Sequence, residues 1–262
     1  MSEFVIIQDN RLVYHRKKKV DKDMWDKQWF DSVSDNYYRR SLQGNLDFLE
    51  KPILKYFDKD DLILEAGCGL SKYVVSLNKR GYRCEGIDYA SNTIKRVKKK
   101  FPEIPVEVGD LKNINRQDGY YSKIISLGVI EHDKEGPNEH LKELNRVLKP
   151  GGIAFISVPY INLIRKMKIK YSCYVKSLPS GYNFYQYAFG EEEMNQILEK
   201  FGFRVIDIYG YGAWKGIKDE ISFFQKIYNI PKIGGLYSII TKKISLIERN
   251  FGHMIGFVCK KK

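Results

Sequence analysis

One stretch constrains this chain more than any other: Leu62-Ile63-Leu64-Glu65-Ala66-Gly67-Cys68-Gly69-Leu70-Ser71. An apolar strand runs into an acid, then into a turn too tight for side chains, and then into a helix. A second acid, Asp88, closes the next strand-like run, Arg83-Cys84-Glu85-Gly86-Ile87. A strand, glycine turn and helix with a carboxylate roughly 20 residues further on is how α/β folds hold a nucleoside cofactor.

The rest of the pattern agrees with that fold. Strands are expected at 62–65, 83–87, 106–108, 123–127 and 153–158, with helices near 71–80, 91–99 and 137–148. In the last helix Leu141, Leu144 and Leu148 share one face. Strands separated by helices imply right-handed crossovers and a mostly parallel sheet covered on both faces, with the ligand beyond the carboxyl ends of the strands. Two further strands, 204–209 and 253–259, complete seven.

Three cofactor sites compete. A dinucleotide site needs a third glycine, and Val74 stands near where it would fall. A phosphate-binding P-loop needs Lys then Ser or Thr after its last glycine, whereas the order here is Gly69-Leu70-Ser71-Lys72. An S-adenosylmethionine site carries no phosphate and needs less glycine. Glu65-Ala66-Gly67-Cys68-Gly69 resembles the E/D-x-G-C-G signature of class I S-adenosylmethionine-dependent methyltransferases. Four later segments resemble that family in order: Val106-Glu107-Val108-Gly109-Asp110-Leu111, the strand Lys123–Leu127 with its Glu131-His132 ending, Leu148-Lys149-Pro150-Gly151-Gly152, and the strand that follows to Pro159. One departure is Ser71, where the family often has glycine.

The resemblance implies a Rossmann-like fold, S-adenosyl-L-methionine as cofactor, and a set of roles. Gly67, Cys68 and Gly69 would let the backbone approach the methionine part. Glu65 would support the loop or bind the cofactor amino group through water. Asp88 would accept hydrogen bonds from the ribose hydroxyls, or cap the helix starting near Ala90. Asp110 would receive the adenine amino group, with Tyr89 and Leu111 on either side of the base. Leu127, Gly128 and Val129 would lie near the sulfur, and Tyr37 and Arg39 would reach the methionine carboxylate. His132 is the candidate general base or substrate-positioning residue, since histidine titrates near neutrality.

Around this core, residues 1–60 are expected to form a helical cap over the cofactor, and 61–262 the methyltransferase core. Two stretches rich in aromatic residues, about 160–190 and 211–251, read as lid insertions over a small or medium-sized acceptor. An oxygen of a metabolite or glycan precursor is the first choice. No run approaches the roughly 20 apolar residues of a membrane span, and no signal peptide opens the chain, so a cytoplasmic location is expected. The four cysteines and four histidines show no zinc-ligand spacing, so neither a metal nor a disulfide is expected. The net charge of +13 suits RNA, an anionic membrane face or an acidic substrate, but also lysines merely solvating helix faces. RNA methylation is the rival activity, drawn from the basic-aromatic stretch 165–174. A non-catalytic binding protein is the rival class. Segment 217–247, mixing apolar residues and lysines, suits peripheral contact with anionic lipid.

Overall fold

The computed structural model describes residues 3–8, 11–32, 37–175, 177–228 and 244–262. Its main sheet has seven strands: β3 (Leu62–Ala66), β4 (Arg83–Asp88), β5 (Val106–Val108), β6 (Tyr121–Leu127), β7 (Leu148–Pro159), β9 (Phe203–Tyr211) and β10 (Met254–Lys261). They lie in the order β5-β4-β3-β6-β7-β10-β9. The first five pair in parallel; β10 runs antiparallel to both β7 and β9.

Successive residues of β3 show why both faces are covered. Ile63 packs with Val74, Val75 and Leu77 of helix α4 (Lys72–Lys79) and with Ile94 and Val97 of α5 (Ser91–Lys100). Leu64 packs on the opposite face with Leu141, Leu144 and Val147 of α6 (Asn138–Val147), and with Met194 and Leu198 of α8 (Glu191–Lys200). An unbroken apolar strand with alternating faces has no wet side, as a crossover sheet requires. The order of strands reverses between β3 and β6, which opens a crevice at their carboxyl ends.

The amino-terminal segment corrects the expectation of an all-helical cap. Its first elements are β1 (Glu3–Gln8) and β2 (Arg11–Arg16), an antiparallel hairpin. Phe4-Val5-Ile6-Ile7 and Leu12-Val13-Tyr14 are β-branched and aromatic, residues that favour a pleated surface over a helix. The hairpin recruits β8 (Asn183–Ala188) from the first insertion into a small second sheet. Leu12 and Tyr14 bury there against Ile161, Tyr185 and Ala188.

Helices do follow: α1 (Lys22–Ser32), α2 (Arg39–Leu42) and α3 (Glu50–Tyr56). Helix α1 is tied to the core by Asp26, whose Oδ1 accepts from the backbone N–H and the hydroxyl of Thr93, both at 2.8 Å. One acid thus fixes the cap and satisfies a donor in the first turn of α5. The insertions add α7 (Leu163–Lys170), α9 (Ala213–Glu220), α10 (Ser222–Tyr228) and α11 (Ser245–Phe251). Tyr237 and much of segment 217–247 lie outside the described residues.

Candidate active site

Beyond β3, the N–H groups of Gly67 and Cys68 both donate to the carbonyl of Ile87, at 2.8 and 3.1 Å. The turn is thereby folded over the end of β4. Gly67 has φ +80°, and a Cβ there would sit 2.4 Å from Val129 Cγ2. Both the backbone angle and the space exclude any other residue. Asp88 locks the turn from the other side. Its Oδ2 accepts from Gly69 N at 2.7 Å and its Oδ1 from Ala90 N at 2.9 Å. Each carboxylate oxygen has room for a second donor, so the structural bonds leave Asp88 able to bind a ligand. Burial raises its pKa, opposed by those N–H bonds.

Glu65 stands beneath the turn, with Oε2 accepting from Val74 N, in the first turn of α4, at 2.9 Å. Burial pushes its carboxyl up to about 8. Ser71, at the start of α4, has φ 58°, in the left-handed region. The position that departs from the family pattern therefore keeps the glycine-like backbone with a serine in it.

A cavity of about 840 Å³ opens at this edge of the sheet, within the roughly 300–1,000 Å³ usual for small-molecule sites. Glu65, Gly67, Cys68, Asp88, Tyr89, Asp110, Leu111, Leu127, Gly128, Tyr37 and His132 all line it. Tyr89 and Val108 stand at its wall 43% and 50% exposed, apolar surface suited to cover by a flat base. Asp110 is exposed, and its Oδ1 accepts from Lys112 N at 2.9 Å. Two expected residues are not in the lining. Gly69 is roofed by Trp29, whose ring would lie 2.8 Å from a Cβ there, so its part is the N–H given to Asp88. Arg39 is exposed on α2. Its neighbour Tyr38 turns inward instead, donating its hydroxyl to the Leu70 carbonyl at 2.8 Å, and this leaves Arg39 on the solvent side.

The far end of the cavity is built from distant segments. His132 sits in a single 3-10 turn after β6. Its Nδ1 lies 2.8 Å from the Tyr185 carbonyl oxygen. A carbonyl only accepts, so Nδ1 carries the proton and Nε2 keeps the lone pair. Burial holds the imidazole down to about 4, which keeps it neutral. Its ring contacts Trp25 edge-on at 4.7 Å and Tyr185 at 4.9 Å, while Trp25 and Tyr185 lie near-parallel at 6.4 Å. Behind it, the Glu131 carboxyl has Oε1 3.8 Å from His132 Nε2 and Oε2 without a partner. Burial pushes this acid up to about 8. Asp133 pairs with Lys112 at 2.6 Å and approaches His140 at 3.5 Å.

Sequence reasoning did not single out Trp25, Trp29 or Tyr185 as site residues. The aromatic run Trp25–Phe30 and the aromatic insertion carried the signal, but not the partners. Val129, expected with Leu127 and Gly128 near the sulfur, does line the cavity, and it is also what a side chain at Gly67 would strike.

Comparison with known proteins gives the same reading of the core. Residues 64–156 match the family model described as a methyltransferase domain. A probable S-adenosylmethionine-dependent methyltransferase of Mycolicibacterium smegmatis is 28% identical over 157 residues, 60% of this chain and 57% of that protein. The demethylmenaquinone methyltransferase of Chlorobaculum parvum is 29% identical over 122 residues, 46% of this chain and 50% of that one. The chain thus spans about half the length of the curated relatives it matches. Among solved structures, an S-adenosylmethionine-dependent methyltransferase from Archaeoglobus fulgidus superposes with a TM-score of 0.54 at 20% identity, covering 87% of this chain and 97% of that one. Residues 64–156, which contain the glycine turn and the acids Glu65, Asp88 and Asp110, are thus a methyltransferase domain, similar to S-adenosylmethionine-dependent methyltransferases.

Proposed function

We propose that this protein transfers a methyl group from S-adenosyl-L-methionine to a hydroxyl oxygen of a small or medium-sized acceptor, a metabolite or glycan precursor. The cofactor supplies, when bound, a methyl group on a positively charged sulfur. The Gly67 turn, which only glycine can form against Val129, would leave the backbone bare toward it, Asp88 would offer its free lone pairs to the ribose hydroxyls, and Tyr89, Val108 and Leu111 would flank the base. Asp110 would face the adenine amino group, while Leu127, Gly128 and Val129 would border the sulfur.

The observation that carries an oxygen acceptor is His132. Its Nδ1–H is committed to the Tyr185 carbonyl, so Nε2 is left as a buried acceptor in the cavity wall. A neutral nitrogen lone pair orients a hydroxyl by taking its hydrogen bond, which turns an oxygen lone pair toward the methyl group. With the cofactor supplying the methyl group, Nε2 would take the proton that the acceptor hydroxyl gives up as its oxygen is methylated. Alignment of this kind supplies on the order of 7–11 kcal/mol of rate enhancement. The walls of Trp25 and Tyr185 favour an acceptor with a flat or ring-shaped body. The demethylmenaquinone methyltransferase resemblance supports a ring compound, too.

The test is transfer of radiolabelled methyl from the cofactor into fractionated cell extract. Label in a small-molecule fraction, released as an O-methyl compound and strongly reduced by His132→Phe, is the expected result. Label in RNA or protein, or on nitrogen or carbon, would overturn the proposed acceptor. Binding of S-adenosylhomocysteine without any transfer would favour a binding protein.

A further inference from the structure

The charge of this chain is concentrated in its two insertions. Between residues 160 and 190 stand Arg165, Lys166, Lys168, Lys170 and Lys176 with no Asp or Glu. Between 221 and 247 stand Lys226, Lys232, Lys242 and Lys243, again with no acid. These two stretches hold +9 of the net +13. On α8, Glu191 pairs with Arg249 at 2.6 Å and lines a hollow with Lys166 and the exposed Glu192; the acids of α9 and α11 are turned inward or neutralised. Glu220 is held between Arg165 and Lys168 at 2.8 and 2.7 Å. Asp219 pairs with Lys215 and Lys218 at 2.9 and 3.0 Å, and Glu248 is buried with Oε2 on Ala213 N.

Helix α7 shows what this charge is arranged to meet. Ile169 faces the core of the small sheet, and Arg165 is 1% exposed. Outward stand Leu163, Lys166, Met167, Lys170 and Tyr171, with spacing that places them on one face. Leu163 and Met167 are each 47% exposed and Tyr171 is 64% exposed. Helix α11, which packs against α7, adds Leu246 at 69%. Large aliphatic side chains in water interleaved with lysines are the pattern of a helix lying in a lipid headgroup layer.

We infer that the face built on α7 docks this protein onto a bilayer surface containing anionic phospholipid. The lysines meet the headgroup phosphates, and Leu163, Met167 and Leu246 enter the acyl boundary. Phosphates of RNA would attract the same lysines but give the aliphatic side chains nothing to bury against. Helix α7 begins just past the carboxyl end of β7, the edge of the sheet that holds the cavity.

The test is co-sedimentation of the full chain with vesicles at about 0.15 M ionic strength, where exposed charges act only over about 8 Å. Binding to mixed phosphatidylcholine–phosphatidylglycerol vesicles is expected, with little to phosphatidylcholine alone. Two pairs of exposed residues separate the two contributions. Lys166→Glu with Lys170→Glu should lower partitioning at least roughly thirtyfold. Leu163→Ser with Met167→Ser should lower it while S-adenosylhomocysteine binding, measured in parallel, stays unchanged. No binding of the wild type to mixed vesicles overturns the inference. So does equal binding to both vesicle types, indifference to either pair of substitutions, or a preference for RNA that the lysine pair abolishes.

Discussion

Asp88→Ala separates the observed role of one carboxylate, locking the turn, from its proposed role, binding the ribose. In the unliganded protein Asp88 satisfies the buried N–H groups of Gly69 and Ala90. Leaving a buried donor without a partner costs about 1–3 kcal/mol, and the space vacated by the carboxylate admits water to one of the two. The variant should therefore lose about 2–4 kcal/mol of stability before any cofactor is added. Urea unfolding of wild type and variant without ligand measures this loss. Isothermal titration with S-adenosylhomocysteine then measures the second role at a temperature where the variant is folded. Ribose hydroxyls that lose a charged acceptor should cost a further 1.5–3 kcal/mol or about, a tenfold to hundredfold weaker affinity. Asp88→Asn should recover part of the stability, since the amide oxygen still accepts from one N–H. A ligand-free stability within 0.5 kcal/mol or so of wild type would refute the locking role. An unchanged affinity in a folded variant would refute the ribose role.

Two further substitutions test the neighbouring backbone and the buried acid. Ser71→Gly should stabilise the protein by about 0.5–1 kcal/mol, because relief of a left-handed φ at a non-glycine residue outweighs the extra chain entropy of glycine. The Ser71 hydroxyl makes only long contacts, 3.4 Å to Cys68 Sγ and 3.5 Å to the Gly69 carbonyl; a loss of stability in thermal melts would contradict this account. Glu131→Gln should become more stable relative to wild type as pH rises. The folded Glu131 titrates at about 8, an unfolded glutamate near about 4.3, so ionisation disfavours the folded state across that window and glutamine escapes it. The stability difference should be small near pH 5 or so and full by about pH 9; parallel curves would show that Glu131 ionises freely in the fold.

That the strand-end residues would share one cavity was legible from the order of the strands. Gly67, Asp88, Asp110 and Leu127 each stand at or just past the end of a strand, and a parallel sheet brings those ends together whatever the helices do. The seven strands follow from apolar runs of the expected length. The hairpin of the first sixteen residues was missed because its partner strand β8 lies far along the chain, and a short apolar run alone does not distinguish strand from buried helix. Arg39 was misplaced for a related reason: its sequence neighbour Tyr38 took the inward position, and nothing local says which of the two will. The far end of the cavity, where the acceptor is proposed to bind, is built by Trp25, His132 and Tyr185, three residues from separate elements that meet only in the folded chain.

Charge posed the harder question, since a lysine-rich helix is usually just a solvated one. Helix α5 is such a helix. Its exposed positions are Asn92, Lys95, Lys98, Lys99 and Lys100, with Thr93, Ile94 and Val97 buried beneath. Every outward side chain is polar, and no partner is needed to explain any of them. Helix α7 has comparable charge but a different outer face, where Leu163, Met167 and Tyr171 stand between the lysines. Solvation accounts for the lysines of α7 and leaves those three unexplained, whereas a headgroup layer accounts for all of them at once. The distinction lies in what separates the charges, and neither net charge nor composition contains it.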